Sequence, residues 1–360
     1  MPRQKKEEVK TAKSVVTKKI NQGRFGFDLH GFKKTKNLSN TAKFKKQEYY
    51  KASPAFQEIL SIPGIPKGHI TLLRGHSNTG KTTAMVELIK DVQKCGDLPV
   101  IIITEMKWSW EHAKIMGLEV TEEVDIETGE ITYSGDFIYV DRSNLKTIED
   151  VADFISDLLL AQERGELPVN LCFFWDSIGS IPCLQCYESN KSNAMWNAGA
   201  MSNNFGNFVN QRIILSRKDT YKYTNTLVAV NQIRIAYPST PMEMPKLENK
   251  GGNAMFRDAT YIITFGNVKG PGTVKVKAKK NNKEVEWANI VKVSCDKNHG
   301  TGIQTSGRIV TTIHGFISND KKEIDKYKKE HSDEWANILG SKDFEIVEEE
   351  DNTDATVTED

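Results

Sequence analysis

Residues 69–92 read HITLLRGHSNTGKTTAMVELIKDV, and the order of parts in this stretch decides the fold. The apolar run from Ile70 to Leu73 has the length and character of a buried strand. Gly75, His76, Ser77, Asn78, Thr79, Gly80, Lys81 and Thr82 then form a complete G-x-x-x-x-G-K-T loop. Met85, Leu88, Ile89 and Val92 follow at helical spacing, so the loop joins a strand to the start of a helix. The chemistry explains the pattern. Glycines at both ends let backbone N–H groups converge on phosphate oxygens, and the helix N-terminus adds partial positive charge. Lys81 reaches the outer phosphates, the Thr82 hydroxyl can ligate magnesium, and Thr83 completes the first turn. The stretch predicts that the chain binds a nucleoside triphosphate.

The rest of the chain extends the same layout. Pro99–Thr104 and Asn170–Trp175 are apolar runs with strand character, and Leu227–Val230 is another. Val151, Phe154, Ile155, Leu158 and Leu159 repeat as on a helix, and a second helical stripe is read from Met201, Phe205, Phe208 and Val209. Asp125–Ile131 is predicted to be a small hairpin with its turn at Glu127–Gly129. Alternation of this kind predicts an α/β fold with a mainly parallel sheet flanked by helices, and residues 260–313 add antiparallel strands. Between Asp176 and Gly199 the chain is polar and is read as a loop.

The 360 residues, 38% of them hydrophobic, are enough for one large domain with appendages. A net charge of +1 hides a strong asymmetry. Residues 1–51 carry 15 Lys/Arg against 4 Asp/Glu, whereas residues 343–360 carry 9 acids and no base. The division expected is a basic N-terminal arm at 1–52, a core at 53–318, and a helical segment with an acidic disordered tail at 319–360. No apolar run approaches a membrane span, and the lysine-rich start lacks the apolar centre of a secretory signal. The expectation is a cytoplasmic protein without membrane contact. Five cysteines are few; Cys183 and Cys186 could join Cys295 and His299 in a zinc site only if the two segments meet.

Three strand ends carry polar groups. Asp176 closes NLCFFWD and is read as a magnesium-shell carboxylate, with a helix N-cap as the alternative. Glu105 closes PVIIITE, where it either polarises the attacking water or is an exposed loop residue. Asn231 and Gln232 close LVAV; an amide there can sense a terminal phosphate, or simply end the strand.

The motifs GHSNTGKT, IITE, FFWDS, VNQIR and KGGNAMF, in this order, resemble the RecA superfamily, most specifically the bacterial RecA and phage UvsX-type strand-exchange recombinases. The likeness runs from about Phe56 to Ile317. It implies a RecA-like P-loop ATPase core, ATP and magnesium as cofactors, and a DNA-dependent ATPase that forms filaments on single-stranded DNA and promotes strand exchange. Glu105 would be the general base and Gln232 the switch between phosphate and DNA. His112 would hold the place of the adenine-stacking aromatic. Lys297 would reach the neighbouring subunit's nucleotide, with His299 at a second basic place. The implied DNA loops run from about Leu184 to Asn197 and from Ile233 to Lys250. They offer Lys191, Met195 and Trp196 in the first, and Arg234, Tyr237, Met242, Lys246 and Lys250 in the second, with Gly251, Gly252 and Asn253 behind it. Cations that follow phosphates beside flat or flexible apolar groups suit sequence-independent binding. Implied partners are single- and double-stranded DNA, further copies of the chain in a helical filament, and single-strand-binding and mediator proteins. A phage origin would place the protein in host cytoplasm. A hexameric helicase and a non-catalytic paralogue that assists a recombinase stay open as alternatives.

Overall fold

The computed structural model describes residues 43–236, 246–249, 252–267, 272–280, 282–340 and 345–350. The basic arm expected at the N-terminus lies almost wholly outside them, as do residues 351–360. The chain divides into Met1–Lys45 and Lys46–Asp360, and the following concerns the second unit.

Eleven of its strands are labelled here: β1 Ile70–Gly75, β2 Leu98–Ile103, β3 Ile138–Asp141, β4 Leu171–Asp176, β5 Thr226–Ala236, β6 Tyr261–Phe265, β7 Val274–Lys280, β8 Lys283–Asn298, β9 Thr305–Thr312, β10 Gly315–Ser318 and β11 Glu345–Glu350. They lie in one sheet, in the order β10-β9-β8-β6-β1-β5-β4-β2-β3, with β7 beside β8 and β11 beside β7. From β6 to β3 every neighbour is parallel, and β7 to β11 join antiparallel. The sheet is therefore mixed rather than mainly parallel, because β7 to β10 follow one another through short turns that permit only antiparallel pairing, and β11 adds antiparallel to β7 after two helices.

Apolar clusters cover both faces, as a parallel sheet requires. On one face lies helix α1 (Lys81–Lys94), burying Ala84, Met85, Leu88, Ile89 and Val92 against Leu73, Ile101, Phe174 and Val228. On the other lies α2 (Ile148–Glu163), whose N-terminus is closed by a reciprocal Thr147–Asp150 capping box. Val151, Ile155 and Leu159 of α2 pack with Phe173, Trp175 and Phe205. Cys295 belongs to the first cluster and Cys183 and Cys186 to the second, so the sheet separates them and no zinc set forms from these residues.

Two sequence expectations are corrected by local winding. The loop expected before Gly199 contains helices at Leu184–Ser189 and Ala194–Met201. The latter continues through a π-helical stretch, Ser202–Val209, into Asn210–Leu215. Wider winding puts residues four apart on one line, so Met201, Phe205 and Val209 are buried while Phe208 turns out, 64% exposed. The hairpin is present, as strands Thr121–Val124 and Ile131–Ser134. Part of the acidic tail, Glu345–Glu350, is the strand β11, held on β7 by Glu349 contacts to Lys277 and Lys279.

Candidate active site

β1 delivers the phosphate loop at its carboxyl end, where Gly75 pairs with Gln232 on one side and Phe265 on the other. A Cβ at Gly75 would collide with the Phe265 carbonyl, so the close approach requires glycine. The turn is made by Asn78 and Gly80, with φ of 58° and 92°. Ser77 and Asn78 are exposed while Thr79 and Thr83 are buried, leaving the crest of the loop open to a ligand. The His76 carbonyl accepts hydrogen bonds from Thr79 Oγ1 at 2.7 Å and Lys81 Nζ at 2.5 Å. The His76 ring meets the Asn267 carbonyl at 3.2 Å.

Burial pushes Lys81 down to about 8, against the opposing pull of Asp176 and Glu105. A phosphate favours its charged form, so binding is expected to take up part of a proton near pH 8. Triphosphate affinity should therefore fall as pH rises from 8 to 9. Calorimetry in two buffers of different ionisation enthalpy measures this, and pH-independent affinity with no proton uptake would contradict it.

The strand order β5-β4-β2 brings three strand ends together across 127 residues of sequence. Thr82 Oγ1 donates to Asp176 Oδ2 at 3.1 Å, so Asp176 faces the loop. Burial and the nearby Glu105 charge push the Asp176 carboxyl up to about 6, despite the Thr82 hydrogen bond and the charges of Lys81 and Lys107. A hydroxyl beside a desolvated carboxylate is an oxygen pair that fits magnesium, which takes one or two protein ligands and completes its shell with water and phosphate.

Glu105 lies just beyond β2. Its Oε1 accepts from Gln232 Nε2 at 2.6 Å and from Lys107 Nζ at 2.7 Å, and its Oε2 from Ser177 Oγ at 3.1 Å. Burial acts to raise this carboxyl, but the Lys107 and Ser177 hydrogen bonds with the Lys107 and Lys81 charges outweigh it and leave it below the ordinary value. No sequence pattern marks Lys107 or Ser177 as a partner of Glu105. Only the left-handed turn at Met106, φ 55°, aims Lys107 back at Glu105, and no motif announces it.

His112 is half-buried in the helix Trp110–Ile115, its backbone N–H capped by Ser109 Oγ at 3.1 Å. His314, in the turn between β9 and β10, is held below the ordinary histidine value by burial, then by His331 and His112. His314 and His331 lie with Glu334 in the one group among the described residues that could gather three metal ligands. Their rings are stacked 4.1 Å apart at 22°, so the ring lone pairs run side by side rather than converging. Lys297 donates to the Arg257 carbonyl at 2.8 Å. It pairs with Ile262, three residues back from the Phe265 that flanks Gly75, roughly 10 Å along the sheet from its own loop.

The first proposed DNA segment presents Met195 at 82% and Trp196 at 36% exposure, beside an exposed Lys191. Asn193 caps the helix beneath them, accepting from both backbone N–H groups. The second is a hairpin at its base, with Ile233–Ala236 paired to Lys246–Asn249. Arg234 and Lys246 are placed there by backbone, whereas Tyr237, Met242, Lys250 and Gly251 lie outside the described residues. Gly252, φ 90°, lies against Ala198: a Cβ there would come 2.8 Å from Ala198 Cβ. Asn253 precedes the short helix Ala254–Asp258 without a side-chain hydrogen bond to its first turn.

No family model matches the chain. It is 27% identical over 144 residues to the RecA protein of Solidesulfovibrio magneticus, covering 39% of this chain and 41% of that one. The RecA of Nitratidesulfovibrio vulgaris is 24% identical over 169 residues, 46% and 44% of the two chains. That of Aquifex aeolicus is 32% identical over 83 residues, 23% and 24%. The chain thus spans less than half the length of these curated relatives. No helix among the described residues is long and apolar enough to cross a membrane. The mixed α/β sheet, the phosphate loop and these partial matches together support a place for the chain in the RecA superfamily.

Proposed function

We propose that the chain is a DNA-dependent ATPase of the RecA type, which assembles on single-stranded DNA and promotes homologous pairing and strand exchange. The observation that carries this reading is the 2.6 Å hydrogen bond from Gln232 to Glu105. It ties the nucleotide cleft to the strand that runs directly into the second DNA segment.

In this reading the loop from Gly75 to Thr83 binds ATP, with Lys81 on the outer phosphates. Thr82 and Asp176 hold magnesium, which when bound supplies positive charge to the phosphate oxygens. Glu105 takes the proton of the attacking water, and Ser177 and Gln232 fix the orientation of its carboxylate. Gln232 loses or keeps its bond to Glu105 according to the terminal phosphate, and β5 passes that state to residues 233–250. Met195 and Trp196 meet bases while Lys191, Arg234, Lys246 and Lys250 follow phosphates. His112 lies against the nucleobase. Lys297, distant from its own loop, serves a neighbouring copy in a head-to-tail contact that does not close, which generates a filament.

Gln232→Ala is expected to retain ATP binding within about threefold, and to lose most DNA stimulation of turnover. Stimulation equal to that of the unaltered chain would remove Gln232 as the link.

A further inference from the structure

Glu105 has more donors than a resting base needs. Gln232 and Ser177 already fix its carboxylate from two sides, yet Lys107 adds a cation on the oxygen that Gln232 also holds. A carboxylate paired with an ammonium is a poorer proton acceptor than a free one. The pair is also lopsided: the lysine side chain is 71% exposed and the glutamate 19%. Only one partner is built into the fold.

The backbone shows that the contact is directed. Met106 occupies the left-handed region at φ 55°, a conformation disfavoured for a side chain of its size, and is itself 64% exposed. That turn folds Lys107 back over the strand end instead of letting it continue into solvent. Strained residues of this kind tend to gather at functional sites. The ammonium also lies near enough to the cleft for Lys81 and Asp176 to feel its charge.

We propose that Lys107 is a positioning residue that rests on Glu105 and crosses to the terminal phosphate of a bound nucleoside triphosphate, so that substrate itself frees the base. The proposal rests on Glu105 being the base. A mostly solvated lysine is weakly held by a single carboxylate, and a phosphate group of higher charge competes for it readily. A diphosphate lacks that group and leaves the lysine on Glu105. The contact thereby masks the base whenever hydrolysable substrate is missing, and it needs no movement of the sheet.

The test uses the full chain with Lys107→Ala, Lys107→Arg and Glu105→Gln. Affinity for a non-hydrolysable ATP analogue and for ADP is measured by calorimetry, beside steady-state kcat and KM. Lys107→Ala should weaken the triphosphate about tenfold, the scale of one charge-assisted hydrogen bond, and ADP less than twofold. Its KM should rise more than its kcat falls, and Lys107→Arg should recover most of the affinity. Equal weakening of both nucleotides, or of neither, overturns the proposal. Normal turnover in Glu105→Gln overturns the reading of Glu105 and the release step with it. An inactive Glu105→Gln beside a Lys107→Ala that does not discriminate the nucleotides overturns the role of Lys107 alone.

Discussion

Lys81→Ala is expected to bind ATP about a hundredfold more weakly and to lose all nucleotide-dependent binding to single-stranded DNA. The lysine is buried beneath the loop. Its removal withdraws the charge that a phosphate would meet there, in a setting where burial magnifies each interaction. The loop itself should survive. The His76 carbonyl keeps its Thr79 hydrogen bond, and α1 keeps its apolar face. Thermal unfolding should therefore shift little, which separates a lost ligand contact from a lost fold. Calorimetric titration with ATP, together with fluorescence anisotropy on labelled single-stranded DNA, measures both effects. ATP-stimulated DNA binding that persists in this variant would refute the assigned site.

Glu105→Gln carries the second large effect. The amide keeps an oxygen to accept the Gln232 and Lys107 hydrogen bonds but cannot take a proton from water. Turnover is expected to fall by about 10²–10⁴-fold, the usual contribution of a general base. ATP binding should persist, since no part of the phosphate loop is altered. DNA complexes formed with ATP should outlive those of the unaltered chain, because hydrolysis no longer ends the bound state. Single-turnover kinetics separates chemistry from product release. Turnover within threefold of normal would remove Glu105 as the base.

How much of this could be read from the sequence depended on how local the chemistry is. The phosphate loop is contiguous, and its glycines answer a backbone demand visible in the motif alone. Asp176 and Glu105 are legible because each ends an apolar run, and the structure sets Asp176 against Thr82 of the loop and Glu105 against the neighbouring Ser177. The Gln232–Glu105 contact is different in kind. Its partners meet because β5, β4 and β2 are sheet neighbours, an order that no periodicity encodes. Lys107 is not legible in the sequence, because its position depends on one positive φ at Met106, a residue with no local reason to adopt it. The helical stripe failed at Phe208 because it assumed 3.6-residue winding through a π-helical stretch. Glu345–Glu350 looked like unstructured acidic tail, since pairing with the lysines of β7 is a tertiary fact. For Gln232 and for Glu345–Glu350 the missing information was a neighbour distant along the chain, and for Lys107 and Phe208 it was local backbone geometry.

The most direct test of the central claim is the ATPase rate with and without single-stranded DNA, with the same samples imaged by electron microscopy. The account predicts a rate raised at least tenfold by DNA, carried by helical filaments that form only when ATP and DNA are both present. Closed rings with DNA-stimulated hydrolysis would point to a translocating helicase. ATP binding with no hydrolysis under either condition would contradict the enzyme reading altogether.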